Sequence, residues 1–481
     1  MQKRKLSLAI AVAGIGLLSQ AYAGEVNLIV KYKPENSSLM NLNAMSSSST
    51  SGLKVTKSQP INADTQLVTV ETKDSDSMLL MSANSASAGD SSAKVDYKTA
   101  REFMDAHPDV VYALPAKSTM KAFDVQKKAI SSPNTGTGVR DDWGKQWDMD
   151  SDGYGYGIGV NEAWRLIQNP AGTYVAVVDT GLAVQAPEDI SKEVVDNGLP
   201  YFHYENNKTV VDYNVYQQSG HFHGTHVAGT IDANGPEVTG VAGPIDSIKV
   251  APVKALADEG SGNTYAIMEA VKWSAGVPVS GVQTNNYPAK VINLSLGMSR
   301  YYTENGQEKT YYSESYWKNN VIPSMCAAWY DAAKSAEDEG ATLVIAAGND
   351  SHELWNDIPS GCQNFKSIVV EATGPTGKKS YYSTYSTNDW KLQSTVVRAP
   401  GGDADFGEAG EIYSTVNDGY GYMQGTSMAT PHVAGMVSLI YSVDPTVTPD
   451  DVATILNQSA YDNTGVLSAQ KVVSTTINRM K

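Results

Sequence analysis

Three short segments hold the residue types of a nucleophilic triad. Val175–Val178 is an apolar run that ends in Asp179-Thr180-Gly181, so a carboxylate stands where a buried strand gives way to a turn. Alone, that aspartate is equally an Asx-type turn or a helix cap. His221-Phe222-His223-Gly224-Thr225-His226 gathers three of the chain's seven histidines within six residues. Such a cluster suits zinc as well as a general base. No glutamate follows as in the H-E-x-x-H zinc motif. Gly425-Thr426-Ser427-Met428-Ala429-Thr430-Pro431-His432 sets a serine at the entry of an apolar helical stretch. There a serine is often only an N-cap. Ala429 stands where the G-x-S-x-G elbow has its second glycine. Together the segments supply a hydroxyl, an imidazole that titrates near neutrality, and a carboxylate to hold its tautomer. That set activates serine as a nucleophile.

In order and wording, VAVVDTG, HGTHVAG and GTSMATPHVAG resemble the three signatures of the subtilisin-like serine proteases, the subtilases. The resemblance covers about residues 143–475. Residues 24–118 resemble the inhibitory propeptides of such enzymes. It implies that Asp179 orients the imidazole, His223 is the general base and Ser427 attacks the carbonyl. His226 is then structural. Ala346-Ala347-Gly348-Asn349 looks like the family's oxyanion segment, with the Asn349 side-chain amide and the Ser427 backbone N–H as donors. Gly260-Ser261-Gly262 and Ser295-Leu296-Gly297 match the edges that pair with extended substrate backbone, a mode that reads no side chain. Calcium is implied as a structural ion, with Asp189 as one ligand position. Asp141, Asp142, Asp148, Asp150 and Asp152 form a second oxygen-rich run. Acidic Asp350, Glu353 and Asp357 lie near the presumed pocket wall and read as a solvated face. Were Asp357 to face the pocket base, cleavage after Lys or Arg would be favoured.

These residues need a scaffold, and the pattern from about residue 140 supplies one. Tyr174–Val178, Ile248–Val253, Val291–Leu296, Thr342–Ala346 and Ser367–Val370 are short Val/Ile-rich runs. Helical periodicity falls at Ala266–Trp273, Ala327–Ala336 and Met428–Tyr441. Alternating buried strands and helices predict an α/β fold, a parallel sheet flanked by helices with its site at the strands' carboxyl ends. Ahead of it, Glu25–Lys33, Gln66–Glu71, Val110–Leu114 and a helix over Tyr97–Ala106 predict a small α+β unit. Ser46–Ser51 and Ser82–Ala93 read as flexible loops, and Tyr301–Asn320 as a long surface loop. The organisation is therefore a signal peptide (1–23), an inhibitory and folding-assisting propeptide (24–118), a cleavable linker (119–142) and a catalytic domain (143–481). Pro431 is expected in the first turn of its helix, where a missing N–H costs little.

Lys3-Arg4-Lys5, an apolar run from Leu6 to Leu18 and Ala21-Tyr22-Ala23 form a secretory signal. The run falls short of the ~20 residues that span a bilayer. Export makes a single bridge between Cys326 and Cys362, the two cysteines, the expected state. The formal charge of −16 argues against coating nucleic acid. Residues 24–139 are balanced at 12 basic and 12 acidic, and the acid excess lies beyond them. The expected protein is a secreted, monomeric serine endopeptidase acting on proteins or peptides, with its own propeptide as intramolecular inhibitor. Two other readings stand beside it: a catalytically idle binding protein, and a zinc hydrolase using His221, His223 and His226.

Overall fold

The computed structural model describes residues 25–34, 53–71, 89–123, 145–150, 156–304 and 306–481. The signal stretch 1–23, the Ser46–Ser51 stretch, linker residues 124–142, and Asp141, Asp142 and Asp152 lie outside the described residues.

The N-terminal unit is an antiparallel sheet backed by one helix. Its strands are β1 (Glu25–Tyr32), β2 (Lys54–Pro60), β3 (Thr65–Glu71) and β4 (Val110–Pro115), in the order β2-β3-β1-β4, and α1 (Gly89–Ala106) precedes β4. The helix begins within the Ser/Ala stretch expected as a loop. Val26, Leu28, Val30, Val68 and Val70 alternate onto one face and close on Phe103 of α1. The intervening Ile29 and Leu67 belong to a different cluster, shared with the larger region. Both faces of this sheet are therefore covered, one of them by the rest of the chain. Residue 118 does not end the ordered unit. β5 (Thr119–Ala122) follows, where an exposed linker was expected.

The larger region is built on β6 (Thr173–Asp179), β7 (Tyr201–Glu205), β8 (Lys208–Asp212), α2 (His223–Asp232), β9 (Ile248–Lys254), β10 (Ser261–Asn263), α3 (Thr264–Ser274), β11 (Val291–Leu294) and β12 (Leu296–Ser299). After these come β13 (Tyr301–Glu304), β14 (Gln307–Thr310), α4 (Ile322–Asp338), β15 (Thr342–Ala346), β16 (Asp357–Ile358), β17 (Ile368–Thr373), β18 (Thr395–Pro400) and α5 (Thr426–Val443). The main sheet runs β18-β17-β15-β11-β6-β9-β7-β8. It is parallel throughout except for the β7–β8 hairpin. Its central strands are buried on both sides, as their unbroken apolar runs require. The fold is the expected α/β arrangement. The Tyr-rich stretch is not a loop: β13 and β14 form a hairpin, and helical turns follow from Glu314 to Val321.

The N-terminal unit docks on α3 and α4. Ser324 Oγ donates to the Ala113 carbonyl at 2.6 Å. Lys31 Nζ and Lys272 Nζ each lie 2.8 Å from Asp331. Burial opposes the Lys272 charge, and Glu269 and Asp331 more than offset it, so its ammonium is held above the usual range.

Candidate active site

Parallel strands end together, so side chains at their carboxyl ends share one rim. Asp179 is the last residue of β6 and is fully buried. Its carboxylate accepts from the Thr180 backbone N–H at 2.6 Å. His223 opens α2, and its Nδ1 lies 2.8 and 2.9 Å from the two Asp179 oxygens. Donation from Nδ1 leaves Nε2 as the basic nitrogen. The helix reaches that place because residue 224 is glycine. A Cβ there would fall 2.6 Å from the Gly181 carbonyl oxygen. Gly224 N–H donates to Thr180 Oγ1 at 2.9 Å, which ties the two motifs together.

Ser427 lies in the first turn of α5. Its Oγ is 3.0 Å from the Ser295 carbonyl oxygen and 3.2 Å from that of Phe123. Pro431 sits one turn into the helix, not in its first turn. Its missing N–H leaves the Ser427 carbonyl without an i→i−4 donor. Ser295 Oγ supplies the bond instead, at 2.9 Å, and is itself held by Asn293 Nδ2 at 3.0 Å. Proline and serine thus fix the backbone of residue 427 from the sheet side.

Asn349 follows β15. Its Oδ1 accepts from Thr426 N–H and Thr426 Oγ1, both at 2.9 Å, which fixes the amide orientation. Its Nδ2 then donates to the Phe123 carbonyl at 3.1 Å. The positive end of α5 faces the same oxygen region.

That oxygen belongs to the end of β5, which lies between the two expected edges. Ser261, Gly262 and Asn263 pair with Lys121, Met120 and Thr119, while Leu296 and Gly297 pair with Ala122 and Lys121. Ala122 N–H donates to the Gly260 carbonyl at 2.8 Å. Both edges are antiparallel to β5. The chain's own residues 119–123 fill the cleft as an extended peptide would, with the Phe123 carbonyl at Ser427 and Asn349. Sequence reasoning missed this strand. The available signal was the alternation in Thr119-Met120-Lys121-Ala122, where Met120 is buried and Ala122 half-buried while Thr119 and Lys121 are exposed.

The remaining expected residues separate. His221 is exposed. His226 is buried, with Nε2 3.1 and 3.2 Å from the Ile412 and Gly421 carbonyls. Burial, with His223 nearby, pushes its pKa down to about 3. The three histidines therefore do not converge, and no group of three or more His, Cys, Asp or Glu among the described residues is placed to hold a metal. Asp189 lacks the partners of a calcium site among the described residues: its Oδ2 accepts from Tyr420 OH at 3.0 Å and Val238 N–H at 3.3 Å, and no group of carboxylates gathers there. Asp148, grouped by sequence with possible cation ligands, instead meets His432 Nε2 at 2.8 Å in full burial. Asp357 is no solvated face but fully buried. Glu353 accepts from Trp355 Nε1 at 2.7 Å. Cys326 of α4 is bonded to Cys362, which staples that helix to the segment after β16.

A family model described as the subtilase family matches residues 171–477. An extracellular protease of Xanthomonas campestris pv. campestris is 32% identical over 360 residues, 67% of this chain and 54% of that protein. An extracellular basic protease of Dichelobacter nodosus is 34% identical over 243 residues, 49% of this chain and 34% of that protein. The chain spans about half or less of the length of these two curated relatives. A solved structure described as proteases from Pseudoalteromonas arctica shares 30% identity at a TM-score of 0.54, covering 72% of this chain and 100% of that one. The epidermin leader peptide processing serine protease of Staphylococcus aureus shares the fold at 20% identity and a TM-score of 0.57, over 94% of this chain and 98% of that one.

Proposed function

The chain belongs to the subtilase family, and on that basis we propose that it is a secreted serine endopeptidase made as a self-processing zymogen. One observation carries the reading: the Phe123 carbonyl oxygen accepts from Ser427 Oγ at 3.2 Å and from Asn349 Nδ2 at 3.1 Å, which brings a peptide carbonyl to the serine. A nucleophile and an oxyanion donor meeting on one carbonyl is the arrangement acyl transfer needs.

In this reading His223 takes the Ser427 proton through Nε2 as Oγ attacks the carbonyl carbon. Asp179 holds the imidazole tautomer and stabilises the imidazolium. Asn349 donates to the oxygen as it gains charge. His223 then returns the proton to the leaving amine, and water hydrolyses the acyl-enzyme. The first bond cut is Phe123–Asp124. Residues 25–123 afterwards remain as a product that blocks the cleft, with β5 paired on both sides. The signal stretch and the relatives named extracellular support export.

A fluorophosphonate probe with a chelator present tests this. Label on Ser427, abolished in Ser427→Ala, is the expected result. Hydrolysis that needs zinc and leaves Ser427 unlabelled would overturn it, as would an idle protein that neither labels nor hydrolyses.

A further inference from the structure

A second imidazole–carboxylate pair stands in the molecule, and the reaction above has no use for it. Asp148 and His432 are both fully buried, with His432 Nε2 2.8 Å from Asp148 Oδ2. His432 follows Pro431 in α5, and its Nδ1 lies 2.8 Å from the Met428 carbonyl oxygen. A carbonyl only accepts, so Nδ1 carries a proton and donates it. Nε2 faces a carboxylate and shares a proton with it. Both nitrogens are thus spent on bonds, and this ring is no base.

The bond to Met428 falls where the helix is weakest. Pro431 withholds the N–H that would reach the Ser427 carbonyl, and its ring crowds that oxygen. Three successive carbonyls of the serine's turn each take a side-chain donor: Thr426 from Thr430 Oγ1 at 2.7 Å, Ser427 from Ser295 Oγ at 2.9 Å and Met428 from His432 Nδ1 at 2.8 Å. The first donor belongs to the same helix and the second comes from the sheet side. The third is anchored outside both. Asp148 lies in a single helical turn, Trp147–Met149, whose neighbours pin it to the rest of the molecule. Gln146 Nε2 donates to the Thr239 carbonyl and its Oε1 accepts from Thr239 N–H, both at 3.0 Å. Trp147 Nε1 donates to the Glu411 carbonyl at 3.1 Å, and Met149 is buried in the core that also holds Met428 and Ala429. The carboxylate therefore has a fixed place, and it fixes the ring. Its Oδ1 is buried without a hydrogen-bond partner. Burying this acid is costly, and the bond to His432 is what offsets the cost.

We propose that Asp148 and His432 are a positioning pair for Ser427. Asp148 sets the His432 ring, and His432 Nδ1–H holds the Met428 carbonyl, so the turn that carries the Ser427 hydroxyl and backbone N–H keeps its place. The inference rests on the endopeptidase reading and deepens it. The stretch 146–149 is then a working part of the site, and any trimming of the chain after the first cut must stop short of Gln146.

The test uses the self-processed chain, a peptide with Phe before the cut bond, and side chains that keep one bond of the ring and drop the other. Glutamine at 432 places an amide near the site of Nε2 and drops the bond to Met428. Asparagine places one near Nδ1 and drops the bond to residue 148. His432→Gln is expected to lower kcat about 10- to 100-fold with KM within about twofold. His432→Asn joined to Asp148→Asn, which leaves no buried charge unpaired, is expected to keep kcat within about threefold of the unaltered enzyme. Self-processing is intramolecular and has no KM, so it should slow by the same factor as kcat. Both sets of changes should lower the urea midpoint, read with Ser427→Ala to prevent self-digestion, so stability does not separate them and kcat does. If His432→Gln fails to fold, Asp148→Asn against Asp148→Leu makes the same comparison. The amide still meets Nε2 and the leucine does not, so kcat should fall only with leucine. Equal kcat in the contrasted variants, or a loss carried by KM, overturns the proposal and leaves the endopeptidase reading standing. So does a fully active form whose sequence begins after Asp148. No hydrolysis by the unaltered chain overturns both readings.

Discussion

The N-terminal unit and the region it docks on differ in where their polar groups go. In residues 25–123 the few polar contacts that matter reach outward: Lys31 to Asp331, the Ala113 carbonyl to Ser324, and the backbone of β5 to two foreign edges. In the larger region the polar groups turn inward, to a rim where Asp179 holds His223, Thr426 holds Asn349 and Ser295 holds the Ser427 backbone. On the proposed reading one region is held and the other acts. A chain that folds before it cuts itself would need both, because a protease drains whatever stays unfolded.

If only the larger region acts, Ser427→Ala should remove activity by about 10⁶-fold, the scale found when a serine triad loses its nucleophile. The same chain should keep residues 25–123 uncut, as read on a gel. Self-processing in that variant would break the comparison. The staple between α4 and the pocket segment comes next. Its 36-residue separation implies about 4 kcal/mol in the chain-entropy model. Cys326→Ser/Cys362→Ser should then lose activity faster on heating, and an equal half-life would place the bridge outside the acting region's support. Asn349→Ala should lower kcat by about 10²–10³-fold. Little change in KM is expected, because β10 and β12 still pair with substrate.

Acid sensitivity should also lie in the larger region. His226 is held neutral by burial, at about 3 against an unfolded value near 6.5. Its folded pKa is the lower one, so the stability is full above about pH 6.5 and is lost as pH falls toward 3. At pH 4.5 that is about 3 kcal/mol. Urea midpoints at pH 7 and pH 4.5 in the inactive Ser427→Ala chain should show the loss, and adding His226→Gln should shrink it. The smallest effect concerns the held region. Phe123→Asp puts a carboxylate where an apolar ring is buried and should slow self-processing about 10- to 100-fold.

What the sequence disclosed follows the same division. Motifs of the larger region were legible because chemistry restricts residue type: few side chains can orient an imidazole, take a proton near neutrality, attack a carbonyl or donate to an oxyanion, the roles read for Asp179, His223, Ser427 and Asn349. Buried strands such as Thr342–Ala346 were legible because parallel sheets demand unbroken apolar runs. β5 was not, because it is recognised through its backbone, which any alternating stretch can supply. Asp148 was read as a possible cation ligand and Asp357 as a solvent-facing acid, and both are buried. Their burial depends on partners distant in sequence, 284 residues away for Asp148. Asp189 was read from a family position, and the structure gave its carboxylate to Tyr420.

The claim beneath all of this is that Ser427 cuts the strand that lies on it. Mass spectrometry of the N-terminal fragment released during self-processing tests that most directly. The fragment should end at Phe123, and none should form in Ser427→Ala. A fragment that first appears with any other C-terminal residue, or one that persists without the Ser427 hydroxyl, would contradict the account.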